Sequence, residues 1–568
     1  MNIFTEYENI LEQLIGEVCP DCEIHVESPK EKSFGDLTTN IALFAAKKLK
    51  RNPMDIGNEI KNILSTDSRF QDVSVVKPGF INWKMDKTHV IEHLKLILTS
   101  EYGRSNLGNS QKVNIEYVSA NPTGPLHAGH ARGAIVGDAL ANLLKYAGYD
   151  VTKEYYINDA GNQINHLAES LHFRYLQIID PENTPKEPAE GMYPGEYLID
   201  IAQEIVDKYG DKFRTDSEWL AFFKDYAISR MMDCIKQDLN DLGVHHDVFT
   251  SEKSLVDAGK VDECVNYLQG LGLIYNGTLP QPKGKLLEDW EPREQMLFKS
   301  TDFGDTTDRP LKKSDSTWTY FATDIAYHFD KYKRGFKNMI DFWGADHGGY
   351  ITRMTAATKA VTQEQGNLSV KICQLVKFVE NGKEVKMSKR AGTFITVRDI
   401  IEKVGKDIIR FIMLNRKDDA TLEFDFAKVI EQSRENPVFY VQYALARTYS
   451  VMRQYIEQFG QYDLNNVDYS YLGSAEELEL AKTLMEWPQQ VEIAAMHKEP
   501  HRITFYLSTV AASFHALWNA GKANYNLRFI DPNNQESSLC RLALVLATQK
   551  ILEEGFKIIG VTPLKELR

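Results

Sequence analysis

The chain has 568 residues, enough for about three or four domains with several cores. Its composition, 43% hydrophobic and 26% charged, is that of an ordinary globular protein, and no apolar run is long enough to span a bilayer. A net charge of −14 excludes nucleic-acid binding driven by overall charge, though a local basic patch could still dock an RNA.

The first residues, Met1-Asn2-Ile3-Phe4-Thr5-Glu6, lack the basic start and apolar stretch of a signal peptide, so a cytoplasmic protein is expected. Ile10, Leu11, Leu14 and Ile15 mark the stripe of a helix. Cys19-Pro20-Asp21-Cys22 follows it. No second CxxC and no histidine pair completes a zinc site here, so reduced cysteines are expected and no structural metal. Ser33-Phe34-Gly35-Asp36 reads as a turn, and a helix follows through Ile41–Ala46. It runs into Lys47-Lys48-Leu49-Lys50-Arg51, which by charge alone is a solvated helix face. Val73, Val75 and Val76 suggest one strand and Phe80–Trp83 another. This small α+β unit ends in the polar linker Tyr102–Gly108.

Lys112–Ser119 alternates like a strand. Asn121-Pro122-Thr123-Gly124-Pro125 breaks it, and a helix is predicted from Ala128 to Tyr146 with Gly148 as its stop. Strand, Gly/Pro loop and helix together place phosphates at a helix N-terminus. Residues 181–195 look like an exposed excursion, and the helical stretch 215–270 belongs to an insertion between two halves of a sheet. Met339–Trp343 is a strand ending at Gly344-Ala345-Asp346-His347. Lys371–Val379 is another, and Asn381-Gly382 turns it into a hairpin leading to Lys386. From about residue 425 the pattern is helical, with segments near 474–496, 500–519 and 535–557.

Two motifs carry the chemistry. In His127-Ala128-Gly129-His130 the imidazoles stand where unpaired helix N–H groups already favour a phosphate. They can donate to oxygens on which charge grows in a transition state. Gly129 lets a flat purine approach the backbone. In Lys386-Met387-Ser388-Lys389-Arg390 the lysines are mobile point charges suited to a leaving pyrophosphate. Each motif is weak alone. In this order, far apart in the chain, they read as two halves of one nucleotide site.

The pair resembles the signatures of class I aminoacyl-tRNA synthetases. The stretch Ala120–His130, the segment Asn158-Asp159-Ala160-Gly161-Asn162-Gln163, the helix opening Glu435–Ala444 and the N-terminal Phe34-Gly35-Asp36 are similar to the arginyl-tRNA synthetase family, bacterial type, over essentially the whole chain. The resemblance implies an α/β fold: a Rossmann-like parallel-sheet catalytic domain (108–424) with a connective insertion (about 150–300). It also implies an additional α+β N-terminal tRNA-binding domain (1–107) and an all-helical anticodon-binding domain (425–568).

It implies that arginine and ATP, taken with Mg2+, form arginyl-adenylate and pyrophosphate. Arginine then passes to the 2′-hydroxyl of the terminal adenosine of tRNA. A monomer, no DNA partner and no membrane are expected. His127, His130, Lys386 and Lys389 are the implied catalytic residues. Gly129, Gly344, Asp346, Met387 and Ser388 join them on ATP. Glu116, Tyr320 and Asp324 would hold the guanidinium, a planar five-donor fork that demands carboxylates. Ser119, Asn121, His127 and His347 would hold the amino-acid end. Lys47, Lys48, Lys50, Arg51, Tyr443 and Arg447 are candidate tRNA contacts. Read without the resemblance, Asp324 is a helix-surface acid.

The rivals fit less well. A cysteinyl enzyme needs zinc ligands that are missing, and the arginyl-type segments weigh equally against a glutamyl enzyme. A small nucleotidylyltransferase leaves both ends of the chain unexplained. A non-catalytic relative has no use for the intact histidines and lysines.

Overall fold

The structure, a computed structural model, describes residues 2–20, 22–99, 101–215, 217–279, 293–380, 382–385, 395–433 and 435–566. It divides into two compact units. One comprises Met1–Gly108, Tyr146–Gly148 and Gln432–Arg568; the other comprises Asn109–Lys145 and Tyr149–Glu431. Among the described residues no helix is long and apolar enough to cross a membrane.

In the first unit, helix α1 (Ile3–Ile15) is capped by the Asn2 side chain, which accepts from Phe4 N–H, and it buries Ile3, Phe4, Tyr7, Ile10, Leu11 and Ile15. Strand β1 (Val26–Glu27), strand β2 (Leu37–Thr39), helix α2 (Ile41–Leu49), helix α3 (Pro53–Leu64), strands β3 (Phe70–Val76) and β4 (Phe80–Met85) and helix α4 (Lys87–Ile97) follow. The strands form an antiparallel sheet in the order β1-β2-β4-β3. In the turn after α1, Cys19 and Cys22 are bonded to each other, where the sequence predicts reduced thiols. Their Cα atoms stand 5.6 Å apart, within bridging range.

The second unit opens with β5 (Lys112–Glu116), α5 (Ala128–Tyr146) and β6 (Asp150–Ile157), a strand–loop–helix–strand unit. Then come α6 (Asn162–Ile179), α7 (Tyr197–Tyr209), α8 (Trp219–Asp241), β7 (Val248–Ser251), α9 (Glu252–Asp257) and α10 (Lys260–Gly270). A small antiparallel sheet of β8 (Ile274–Gly277), β9 (Gln295–Phe298) and β10 (Arg309–Pro310) precedes α11 (Tyr320–Lys333), β11 (Asn338–Gly344), α12 (Ile351–Val361) and β12 (Asn367–Cys373). The main sheet is parallel throughout, in the order β12-β11-β5-β6-β7. Its central strands are buried along most of their length, and they carry buried polar groups such as Asn114, Glu116, Glu154 and Asp341 among the apolar ones. The order reverses between β5 and β11. This is the switch point at which parallel sheets open a crevice beyond their strand ends.

Two sequence expectations change here. The block from about 150 to 300 is not one insertion, because β6 and β7 within it are strands of the main sheet. Only α6–α8, packed round Leu167, Leu171, Ile201 and Phe223, and the small sheet stand apart. The run 371–379 is also two strands, not one. β12 ends at Cys373, and β13 (Val376–Glu380) pairs in a separate sheet with β14 (Lys383–Glu384) and β15 (Leu422–Asp425). The break is fixed by the fully buried Arg132, whose guanidinium donates to the carbonyls of Gln374, Lys417 and Ala420.

Helices α13 (Val397–Val404), α14 (Lys406–Leu414) and α15 (Phe426–Val429) complete this unit. The first unit then resumes with α16 (Pro437–Phe459), α17 (Ala475–Met485), α18 (Trp487–His497), α19 (His501–Ala523) and α20 (Gln535–Ile559). α16 begins where sequence signals require, with Asn436 accepting from Val438 N–H and Pro437 at the first helical position.

Candidate active site

β5 delivers the backbone to the crevice, and there the chain leaves ordinary geometry. Val118 and Ser119 have φ of 72° and 38°. Left-handed backbone at a β-branched residue costs roughly 1–3 kcal/mol and persists only where the surroundings impose it. Ser119 supplies that constraint. Its hydroxyl donates to Glu116 Oε1 (2.9 Å) and accepts from Tyr156 N–H (3.1 Å), and its carbonyl accepts from Asn158 Nδ2 (3.2 Å).

The loop reaches the first motif at Leu126. There the chain pairs with the segment that follows the second motif. Ala128 N–H donates to the Ile395 carbonyl and Val397 N–H to the Leu126 carbonyl, both at 2.8 Å, and His127 bridges Thr396. The chain from Ile395 onward, which follows the second motif, therefore lies beside His127. Lys386, Met387, Ser388, Lys389 and Arg390 themselves lie outside the described residues.

The rings of His127 and His130 stack with centroids 3.6 Å apart, and His127 N–H donates to His130 Nδ1 at 3.3 Å. A Cβ on Gly129 would meet the His127 ring at 3.0 Å, so the absence of a side chain there is what lets this ring lie back over the turn.

Beyond the ends of β5 and β11 is a cavity of about 320 Å3, walled by Glu116, Ser119, Asn121, Asp324, His347 and Tyr350 among others. Behind it runs a buried ion network. Lys331 Nζ, fully inaccessible on α11, donates to Glu116 Oε2 at 2.6 Å and to Asp341 Oδ1 at 3.1 Å. His328 Nε2 meets Asp341 Oδ2 at 2.9 Å. Burial alone would raise the Asp341 carboxyl, but Lys331 and His328 outweigh it and hold it down at about 2. Burial also acts on Glu116 and here prevails, raising its carboxyl despite Lys331.

Asp324 is different. It is half-buried at the cavity wall, and the Tyr350 hydroxyl donates to its Oδ2 at 2.6 Å. Among the described residues no lysine or arginine pairs with its carboxylate. Burial raises its carboxyl, with the Tyr350 hydrogen bond opposing. Next to it, Thr323 donates to Glu252, whose carboxyl is pushed up to about 7 by burial and by the Asp324 charge. At the pocket wall the Asp324 carboxylate thus meets the Tyr350 hydroxyl and, among the described residues, no cationic side chain.

The sequence-derived set divides accordingly. Glu116, Ser119, Asn121, Asp324, Gly344 and His347 line one cavity. Tyr320 opens α11 one turn before Asp324, yet its ring is 58% exposed and does not line the cavity. Its hydroxyl faces Gly161, where a Cβ would come within 2.9 Å. Asp346 points outward, its side chain 80% exposed and 3.5 Å from His347. Lys47, Lys48, Lys50 and Arg51 are exposed in the first unit, where Lys48 donates to the Pro20 carbonyl and Arg51 pairs with Glu59. Arg447 lies 4.0 Å from the Tyr443 ring and 4.5 Å from that of Trp518. Tyr350, Lys331, His328, Asp341 and Glu252 were not foreseen. One signal was present: an aspartate inside the apolar strand Met339-Ile340-Asp341-Phe342-Trp343 demands a buried partner.

Comparisons agree along the whole chain. Residues 5–85 match the arginyl tRNA synthetase N terminal domain, 93–442 the class I (R) tRNA synthetase catalytic domain and 441–567 the DALR anticodon binding domain. The arginine–tRNA ligase of Ruegeria pomeroyi is 49% identical over 584 residues, and that of Rhizobium meliloti 49% over 587, each covering 100% of both chains. The solved Thermus thermophilus arginyl-tRNA synthetase covers 100% of each chain with a TM-score of 0.75. At 19% identity it speaks for the fold alone.

Proposed function

The chain belongs to the arginyl-tRNA synthetase family, and from that premise we propose that the Asp324 cavity takes the arginine side chain while the His127–His130 turn takes ATP. As an arginine–tRNA ligase it uses ATP to charge tRNA with arginine. The observation that carries the site assignment is Asp324. Its neighbours Glu116 and Asp341 already share Lys331, so Asp324 is the wall carboxylate left to meet a guanidinium. Tyr350 fixes its orientation before substrate arrives.

With the guanidinium there, Ser119, Asn121 and His347 hold the α-amino and carboxylate end. An oxygen of that carboxylate attacks the α-phosphorus of ATP, and the bond to the bridging oxygen of pyrophosphate breaks. His127 and His130 donate to the phosphate oxygens as charge gathers there. Lys386 and Lys389 neutralise the departing pyrophosphate, and Mg2+ enters with the ATP phosphates. The 2′-hydroxyl of the terminal adenosine then attacks the carbonyl carbon, and AMP leaves. Residues 1–107 and 425–568 serve the tRNA, with Lys47, Lys48, Lys50, Arg51, Tyr443 and Arg447 as contacts. The catalytic span is 108–424.

ATP–pyrophosphate exchange tests the reading. Exchange is expected with arginine in the presence of cognate tRNA. Exchange with cysteine or glutamate, and none with arginine, overturns it.

A further inference from the structure

Away from the crevice, in the first unit, three side chains converge that no step above employs. Glu6 stands in the first turn of α1. His89 and His93 stand four residues apart on α4, a spacing that puts both imidazoles on one helix face. His89 Nε2 lies 3.4 Å from Glu6 Oε1, and His93 Nε2 lies 3.0 Å from Glu6 Oε2. One ligand atom from each residue lies within 4.8 Å of the others. Close as they stand, the buried atoms Glu6 Oε2, His89 Nε2 and His93 Nδ1 make no hydrogen bond of good geometry among the described residues. Buried polar atoms without a hydrogen bond are uncommon, and two of these, Glu6 Oε2 and His89 Nε2, are atoms that a bound ion would satisfy.

We propose that Glu6, His89 and His93 form a divalent-cation site, selective for zinc and ions of similar chemistry, that fastens α1 to α4. Two imidazole nitrogens and one carboxylate are a borderline donor set, which suits zinc and not calcium or magnesium. Zinc–ligand bonds of about 2.0–2.2 Å set tetrahedral ligand atoms roughly 3.4 Å apart, close to the 3.4 Å and 3.0 Å between the Glu6 oxygens and the two imidazoles, with all three ligand atoms within 4.8 Å. The Tyr7 ring stands edge-on to His89 at 5.4 Å and restricts its rotation. His93 is 3% exposed, His89 11% and Glu6 28%, so an ion can enter past Glu6 and keep a water as fourth ligand. His93 Nδ1 has no acceptor behind it, the support that usually strengthens a metal-bound histidine, so binding is weaker than at an enclosed structural zinc site.

Equilibrium dialysis of the full chain against zinc chloride, read by atomic absorption, tests this. One zinc per chain and a rise in melting temperature are expected for the parent and equally for Cys19→Ser/Cys22→Ser. Uptake and stabilisation are expected to vanish in His89→Gln/His93→Gln. No uptake by the parent, or uptake lost with the cysteines and kept without the histidines, overturns the proposal. Should the histidine variant fail to fold, cobalt bound to the parent decides. Visible bands without a thiolate charge-transfer band support the site, and a thiolate band refutes it.

Discussion

At the scale of the residue, the role proposed for Asp324 ties chemistry to specificity and can be tested directly. Asp324→Asn keeps the shape and removes the charge that a guanidinium needs. Loss of one partner from a desolvated charge pair costs roughly 2–5 kcal/mol. Arginine KM is expected to rise strongly, or kcat/KM to fall by that amount, with ATP KM nearly unchanged. Citrulline, a neutral urea, is expected to lose less in the variant than in the parent. Steady-state exchange on both proteins measures this, and unaltered arginine kinetics would return Asp324 to the wall as a bystander.

Glu252 gives a pH prediction. Its carboxyl is raised from 4.5 to about 7 in the folded chain, so the folded state keeps a proton that the unfolded state has released. Its contribution to stability is therefore greatest at low pH and declines as pH climbs through that window. Glu252→Gln is expected to flatten the melting temperature between pH 5 and 7 relative to the parent, a range set by the two values above. With arginine seated at Asp324 as proposed, its cation also favours the charged Glu252, so arginine affinity is expected to rise with pH over the same range. Calorimetry in buffers of different ionisation enthalpy detects the released proton. Asp324 was legible only through resemblance, because a lone aspartate on a helix carries no mark of the cavity it faces. Lys331 was not legible at all, since its partners lie 215 and 10 residues away and meet it only after the sheet has formed.

At the scale of the element, α11 is fastened to the sheet by a charge. Lys331 reaches Glu116 on β5 and Asp341 on β11, which are register partners on adjacent strands. Replacing it with methionine strands two buried carboxylates, and breaking one side of a buried pair costs about 3–5 kcal/mol. Lys331→Met is expected to lower the denaturant midpoint and to raise arginine KM by letting Glu116 drift. A midpoint equal to the parent's would show the network to be energetically neutral. Helices were read well where breakers bound them, as at Ala128–Tyr146 between the Asn121–Pro125 loop and Gly148, while the opening of α16 was legible through the resemblance of Glu435–Ala444. The short β7 was hidden because four residues between two helical segments give no period to detect. The β12–β13 break was hidden because Arg132, which makes it, sits 242 residues away from Gln374.

At the scale of the molecule, residues 1–108 and 432–568 share one unit. Within it Asp36 pairs with Lys482 at 2.7 Å, the Tyr102 hydroxyl donates to the Met485 carbonyl, and the Trp487 ring is wholly buried against Tyr506. Trp487→Ala is expected to destabilise this unit by about 3–5 kcal/mol, the range for emptying a large aromatic site. Urea unfolding followed by near-UV circular dichroism reads it, and an unchanged midpoint would mean that Trp487 is dispensable to the packing. The sequence shows an α+β start and a helical end as separate stretches. Nothing in either tells that they share a core, because a pairing between distant surfaces leaves no local pattern.

That shared core has a consequence for how the chain is made. Its first hundred residues leave the ribosome long before their helical partners exist. The 323 residues from 109 to 431 must be synthesised in between. At about 5–20 residues per second this interval is on the order of tens of seconds. Until then the surfaces around Tyr102 and α4 stand open to water or to chaperones, while the parallel sheet between can already close on itself. The beginning of this protein is finished only when its end arrives.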